Sequence, residues 1–300
     1  MEFGHLDNLN GIAFSLPPDH PETARVLAAN KGKAKPAVYV GGPVWADPKY
    51  VGSLYPRGTK SKDFLQQYCR QFNAIEVNAT HYKLPTDEAV KQWLDAATPG
   101  FKFSLKVPQN ISHSKAFGQP NAELDHLIRI AHDLGNHLGT SFLLMPPYFK
   151  PNRLEDLRRF LKLIPADMPM AVEVRNEEWF NDAKALNEWT AMLESLGRTA
   201  IITDVASRRD VLHMRQTSGT AFIRYNGYDL HPSDFTRLDE WVVRLGQWLN
   251  AGLQEVYFYM HQPTKALSAE LGAYFIEKIN ALPQVDIPVP VMYNKEGLLF

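Results

Sequence analysis

The chain is poor in cysteine. Cys69 is the only one in 300 residues, so no disulfide can form within the chain and a small disulfide-stapled scaffold is excluded. Long hydrophobic runs are also missing: no stretch of the length a membrane-spanning helix needs, roughly eighteen apolar residues or more, occurs anywhere. The first residues, Met1-Glu2-Phe3-Gly4-His5, carry no basic segment followed by an apolar one. No secretory leader is expected, and the expected location is the cytoplasm. Net charge is nearly absent, with 32 Lys and Arg against 33 Asp and Glu, or −1 at pH 7. That balance supports no bulk affinity for nucleic acid or anionic membrane, although a local basic patch needs no net charge. Finally, two catalytic signatures do not occur: a Gly-x-Ser-x-Gly elbow and a His-Glu-x-x-His pair.

The composition that remains, 45% apolar and 22% charged, is that of a globular chain with ample material for a buried core. Residues 1–37 read as an extension, with Pro17-Pro18, a short helix at 21–29 and the polar run Asn30-Lys31-Gly32-Lys33. From 38 onward, short β-rich runs alternate with segments of helical period. The strands are 38–42, 74–78, 101–107, 141–145, 170–175, 199–204, 221–225 and 255–260. Helices are expected near 64–72, 86–97, 121–136, 153–164, 181–195 and 265–281, with another on the Leu238-to-Leu249 pattern. The segment 205–218 is short and weakly patterned. On the first helix, Cys69 shares a face with Phe64, Leu65, Tyr68 and Phe72, so it reads as a core residue. Eight strand–helix units fit between 38 and 282 at about 31 residues each, the repeat of a (β/α)8 barrel. The expected fold class is therefore α/β, a single barrel over 38–300 with an N-terminal extension. A doubly wound sheet is the alternative; the turn it would carry after its first strand, rich in glycine and built for phosphate, is not Gly41-Gly42-Pro43-Val44-Trp45.

Side chains alternate along a strand, so parity assigns faces. Ile75, Val77, Phe103, Leu105, Val172, Val174 and Ile223 take the helix-facing positions. Glu76, Asn78, Ser104, Lys106, Glu173, Arg175 and Arg224 then point inward, with Asn226 just beyond. The sixth strand ends on Asp204 and the eighth leads into His261. Acids and bases thus converge on the C-terminal end of the strands, where barrels carry their sites. Isolated charges rarely stay inside a core. Such a set is either a ligand site or a closed salt-bridge lattice.

At these residues the chain resembles the YecE-like family, the domain of unknown function numbered 72. Phe72-Asn73-Ala74-Ile75-Glu76-Val77-Asn78-Ala79-Thr80-His81-Tyr82 is similar to its "FNTVEINSTFY". The resemblance continues through 101–108 and Ile111-Ser112-His113, through Leu144-Met145-Pro146-Pro147-Tyr148-Phe149, and through Glu173-Val174-Arg175-Asn176 with Trp179-Phe180. It implies a TIM barrel and brings no reaction with it. Likeness of such barrels to metal-dependent nucleases implies nucleic-acid binding only by analogy. The chain departs from the pattern at Arg224-Tyr225-Asn226-Gly227, where members read "RLHG", and at Tyr259-Met260-His261-Gln262, where they read "YFNN".

These residues support a pocket for a small anionic molecule. Lys106, Arg175 and Arg224 would hold a phosphate or carboxylate. Glu76, Lys106, Glu173 and Asp204 are the candidate catalytic groups. Asn78, Tyr82, His113, Arg175, Trp179, Arg224, Asn226 and His261 are the candidate binding groups. Hydrolase or lyase chemistry would suit such a bowl. No cofactor is identified. Glu76, Glu173, Asp204 and His261 could ligate a divalent metal, but three bases in the same bowl disfavour it. Trp45, Tyr82, Tyr148, Trp179 and Tyr228 follow strands and form the expected rim. The alternatives are a barrel that binds nucleic acid or cleaves phosphodiesters with a metal, and a non-catalytic binding barrel.

Overall fold

The computed structural model describes Gly4, 6–32 and 35–293. Residues 1–3 and 5 of the leader reading, Lys33 of the polar run, Ala34, and 294–300 of the barrel assignment lie outside the described residues.

Eight strands appear where the β-rich runs were read. They are β1 (Ala37–Gly41), β2 (Ala74–Val77), β3 (Lys102–Leu105), β4 (Ser141–Leu144), β5 (Met170–Glu173), β6 (Thr199–Asp204), β7 (Thr220–Asn226) and β8 (Glu255–His261). All pair in parallel, six in the order β1-β8-β7-β6-β5-β4 and two as β2-β3. The fold is mixed α/β and TIM-barrel-like, with the six-stranded sheet curled on itself. Single contacts join the two sheets. Beside β1, Glu76 N donates to Gly42 O at 3.1 Å. The Asn73 side chain accepts from Val40 N at 2.7 Å and donates to Val38 O at 2.8 Å, standing in for ladder bonds. Gly41 permits this approach, since a Cβ there would lie 1.9 Å from Ala74 O. Beside β4, Lys106 bridges to Phe142, and Val107 N donates to Phe142 O at 2.9 Å.

Helices follow every strand except β6; six have both ends within three residues of the predicted bounds, and the one on the Leu238-to-Leu249 pattern begins six residues before Leu238. They are Phe64–Gln71, Asp87–Ala96, Ala122–Leu134, Leu154–Leu163, Ala183–Ser195, Pro232–Ala251 and Ser268–Ile279. Local chemistry starts several of them. Thr86 Oγ1 accepts from Ala89 N, and Asn121 Oδ1 accepts from Leu124 N, each occupying a donor the helix leaves orphaned. After β6 there is only a short turn, Arg209–Val211, as the weak pattern of 205–218 foreshadows. Among the described residues, no helix is long and apolar enough to cross a membrane.

Parity is realised as two apolar layers. Ile75, Val77, Phe103, Leu105, Val172, Val174 and Ile223 pack outward with Leu127, Trp189, Leu245 and Phe275 of the helices. Ala74, Phe142, Leu144, Ala171, Ile201, Phe222, Tyr257 and Tyr259 fill the concave side. Each fully buried side chain of this size contributes about 1.5–3 kcal/mol. The apolar filling of the concave side stops one residue pair short of the strands' C-terminal ends, and there the ionisable residues begin.

The extension is built onto this body. Its helix, Pro21–Asn30, opens on His20, whose Nδ1 accepts from Glu22 N, with Pro21 in the first turn. Thr23 Oγ1 donates to Met214 O at 2.8 Å. Asp19 accepts from Arg244 and from Trp248 Nε1, anchoring the preceding segment to the helix Pro232–Ala251.

Candidate functional site

Arg224, near the end of β7, organises the floor of the bowl. Its Nη2 donates to Glu76 Oε1 at 3.0 Å and its Nη1 to Glu173 Oε2 at 3.0 Å. Arg175 Nε donates to the other oxygen of Glu173 at 2.5 Å, and His261 Nε2 lies 2.8 Å from Glu76 Oε2. Asn78 Nδ2 adds a 3.2 Å bond to Glu76 Oε1. Both glutamates are buried. Burial pushes the Glu76 carboxyl up, but Arg224 and His261 outweigh it and hold the group well below the usual carboxylate range. Glu173 behaves alike: burial raises it, and Arg175 with Arg224 depress it further. Both glutamates are therefore anions locked to guanidinium groups.

Above this floor lies a cavity of about 430 Å³, within the range of small-molecule sites. Lys106, Arg175, Arg224, Arg237 and Lys265 line it, together with His261. Among the described residues, no Asp or Glu does. The carboxylates stand behind the arginines, and the wall facing the cavity is cationic. Burial pushes His113 below the ordinary imidazole range, and the nearby charges of Lys106 and Arg175 push it further. His81, 5.7 Å from it ring to ring, is likewise lowered, by burial first and then, among other groups, by Lys106.

The structure brings most of the sequence candidates to this place, but not all. Asn78, Tyr82, Lys106, Arg175, Arg224, Asn226 and His261 line the cavity, and Glu76 and Glu173 form the floor beneath it. Asp204 does not join them. The β6–β7 register pairs Thr203 with inward Arg224 and Asp204 with outward Tyr225. Asp204 therefore faces the helix layer, where it accepts from Arg237, Arg209 and Trp241 Nε1. Its odd-numbered neighbours Thr199, Ile201 and Thr203 are the inward set. Trp179 is also elsewhere: it is fully buried, donates from Nε1 to Phe149 O at 2.8 Å and stacks on the Phe149 ring. His113 lies outside the cavity lining, its Nδ1 2.8 Å from Ser112 Oγ. Of the expected rim, Tyr82 and Tyr228 line the cavity, with Tyr82 72% exposed. Trp45 packs edge-on to Trp93. Cys69 is a core thiol, pushed by burial to about 12. Among the described residues, no three His, Cys, Asp or Glu side chains cluster as metal ligands.

Sequence reasoning missed the cavity's roof. Gly4, Leu6, Leu9 and Phe14 of the extension lie over the bowl. Tyr228 Oη donates to Asp7 O at 2.6 Å, and Arg209 Nη2 donates to Phe14 O at 3.1 Å. The Phe14 ring lies 4.9 Å from the Arg237 guanidinium, a cation–π contact. Arg237 was missed too, because it sits on a helix among apolar core positions. Asp234, three residues earlier and paired with it at 2.9 Å, was the only nearby sign of a buried charge.

The chain is similar in sequence and in fold to known proteins. The chain is 29% identical to the Escherichia coli K12 protein named UPF0759 protein YecE over 280 residues, 87% of this chain and 99% of that one. It is 26% identical over 152 residues to UPF0759 protein YunF of Bacillus subtilis, covering 48% of this chain and 52% of that one. A crystal structure of a DUF72 family protein from Enterococcus faecalis V583 superposes with a TM-score of 0.61 at 17% identity, covering 81% of this chain and 97% of that one. The family described as "Protein of unknown function DUF72" matches residues 39–292, and the chain belongs to it.

Proposed function

We propose that the cavity binds a small molecule bearing phosphate or carboxylate, and that the protein is an enzyme acting on it. The observation that carries this reading is the cavity wall: five Lys and Arg side chains line it, and among the described residues no Asp or Glu does. Cations confined in a partly dry bowl attract an anion more strongly than the same cations on an open surface. The ion pairs below do not use up the site. Glu76 and Glu173 orient Arg224 and Arg175 while the space above stays open. In this reading the eight strands act as one closed (β/α)8 barrel over 38–300. The bonds from Glu76 N to Gly42 O and from Val107 N to Phe142 O support that closure at both sheet edges. Gly4, Leu6, Leu9 and Phe14 of the extension serve as the part that roofs the bowl.

Calorimetric titration of the full chain with inorganic phosphate and with pyruvate tests the reading. Arg175→Gln is expected to weaken anion binding by roughly 10- to 100-fold, the worth of one charge-assisted contact. Absence of binding by the parent protein, or affinity unchanged in Arg175→Gln, would overturn it.

A further inference from the structure

Of the cations that line the cavity, Lys106 is placed differently from the rest. Arg224 is held by Glu76 and Glu173, Arg175 by Glu173, and Arg237 by Asp204 and Asp234. Lys265 is exposed and solvated. Lys106 is partly buried, and among the described residues its Nζ has neither a hydrogen bond nor an ion pair. A partly buried amine without a counter-ion makes a poor permanent anion clamp, because desolvation and its cationic neighbours both oppose its charge.

The stem of this side chain is fixed. Lys106 N donates to Thr80 Oγ1 at 3.0 Å and to Val77 O at 3.3 Å, and Thr80 Oγ1 donates to Lys106 O at 2.7 Å. The bridge to Phe142 holds the other side. Lys106 therefore projects from a pinned strand end into a cavity whose three arginines are already oriented by carboxylates.

We propose that Lys106 is a nucleophilic lysine that forms an imine with a small carbonyl compound, a 2-oxo acid or a sugar phosphate, whose anionic group is held by Arg175 and Arg224. The proposal rests on the anion-site reading above and adds the carbonyl to it. The neutral Lys106 amine attacks the carbonyl carbon, forming a C–N bond. The carbinolamine oxygen then leaves as water, with one proton taken from solvent, and the product is a protonated imine on Nζ. No oxidant or second substrate is required. The iminium is an electron sink for the adjacent carbon, the property for which lysine is used in covalent catalysis.

The electrostatics agree with this role. Lys106 is lowered from the ordinary lysine value of 10.5 to about 8, by burial first and then by Arg224 and Arg175, with Glu76 and Glu173 partly opposing them. His81 and His113 face it from neighbouring loops without adding negative charge. At pH 7 such a lysine presents roughly 300-fold more neutral amine than a solvated one.

The test is reductive trapping on the full chain. The protein is incubated at pH 7 with pyruvate in one arm and dihydroxyacetone phosphate in the other. Borohydride is added, and the adduct is mapped by peptide mass spectrometry. A single adduct on Lys106 in either arm is expected, and the arm that labels distinguishes a carboxylate from a phosphate ligand. Lys106→Met and Lys106→Arg are expected to lose the adduct while unfolding cooperatively in urea like the parent. Arg175→Gln is expected to keep the adduct at Lys106 but require roughly 10-fold or more carbonyl compound to reach it. If phosphate binds but neither compound labels Lys106, the imine proposal is overturned and the anion site stands. If labelling falls only on exposed lysines such as Lys265 and phosphate does not bind either, both readings fail.

Discussion

Replacing Arg224 by methionine should give the protein a pH dependence between pH 5 and 7 that the two buried glutamates do not confer on the parent. Methionine has similar length and no charge, so the volume is largely kept while Glu76 and Glu173 each lose a 3.0 Å partner. His261 still touches Glu76 and Arg175 still touches Glu173. Removing one member of a buried ionic network costs about 3–5 kcal/mol, because the remaining charges stay buried without compensation. In the parent, both carboxyls lie below their ordinary value when folded. Their stabilisation is present above the unfolded pKa, near 4.3, and is lost as pH falls through the lower folded values. In Arg224→Met, burial is opposed chiefly by His261 at Glu76 and by Arg175 at Glu173, so the folded pKa of each carboxyl rises. Where burial carries a carboxyl above its unfolded value, the folded state binds more protons than the unfolded state, and stability increases as pH falls from 7 towards 5. The slope approaches about 1.4 kcal/mol per pH unit for each carboxyl that is protonated. Equilibrium urea unfolding at pH 5, 6, 7 and 8, followed by tryptophan fluorescence and circular dichroism, measures both quantities. A variant within about 1 kcal/mol of the parent at pH 7, with an unchanged pH slope, would refute the reasoning, because the pairs would then behave as solvated surface contacts.

Three further outcomes separate the framework from the site. Asp204→Asn should destabilise by about 2–4 kcal/mol in urea unfolding, since an amide cannot accept from Arg237, Arg209 and Trp241 together. Trp179→Phe removes the bond to Phe149 O and some buried volume, so urea unfolding should show a loss of about 1–3 kcal/mol, with phosphate affinity intact. Cys69, pushed by burial to about 12, should resist iodoacetamide at pH 8 in the native protein and react readily in urea; fast native alkylation would contradict its place in the core.

Local pattern made much of this protein legible. Ile75 and Val77 alternate with Glu76 and Asn78, Phe103 and Leu105 alternate with Lys102, Ser104 and Lys106, and the helices repeat apolar residues every three or four positions, so element type follows from the chain alone. The same alternation sends Glu76, Lys106, Glu173 and Arg224 to one face, because a strand's side chains cannot do otherwise once its outer face is apolar. It failed at Asp204 because Ala200, Ile201 and Ile202 put apolar residues on both parities of β6, which leaves no polar–apolar alternation to read. It failed at Trp179 because a large aromatic with one donor suits a rim and a core equally.

Tertiary structure decided the rest, since the deciding contacts join residues far apart in the chain. Arg224 meets Glu76 across 148 positions, and Tyr228 meets Asp7 across 221. No local periodicity encodes such pairings; they follow from how the curled sheet brings strand ends together and from where the extension docks. Composition and alternation alone determined that the chain would bury acids and bases at the same ends of parallel strands. Folding decided which of those charges compensate one another, that Asp204 would serve the helix layer, that Phe14 would line the bowl, and that Lys106 would form no ion pair among the described residues. A charge's partner is set by distance in space, and sequence fixes that distance only through the completed fold.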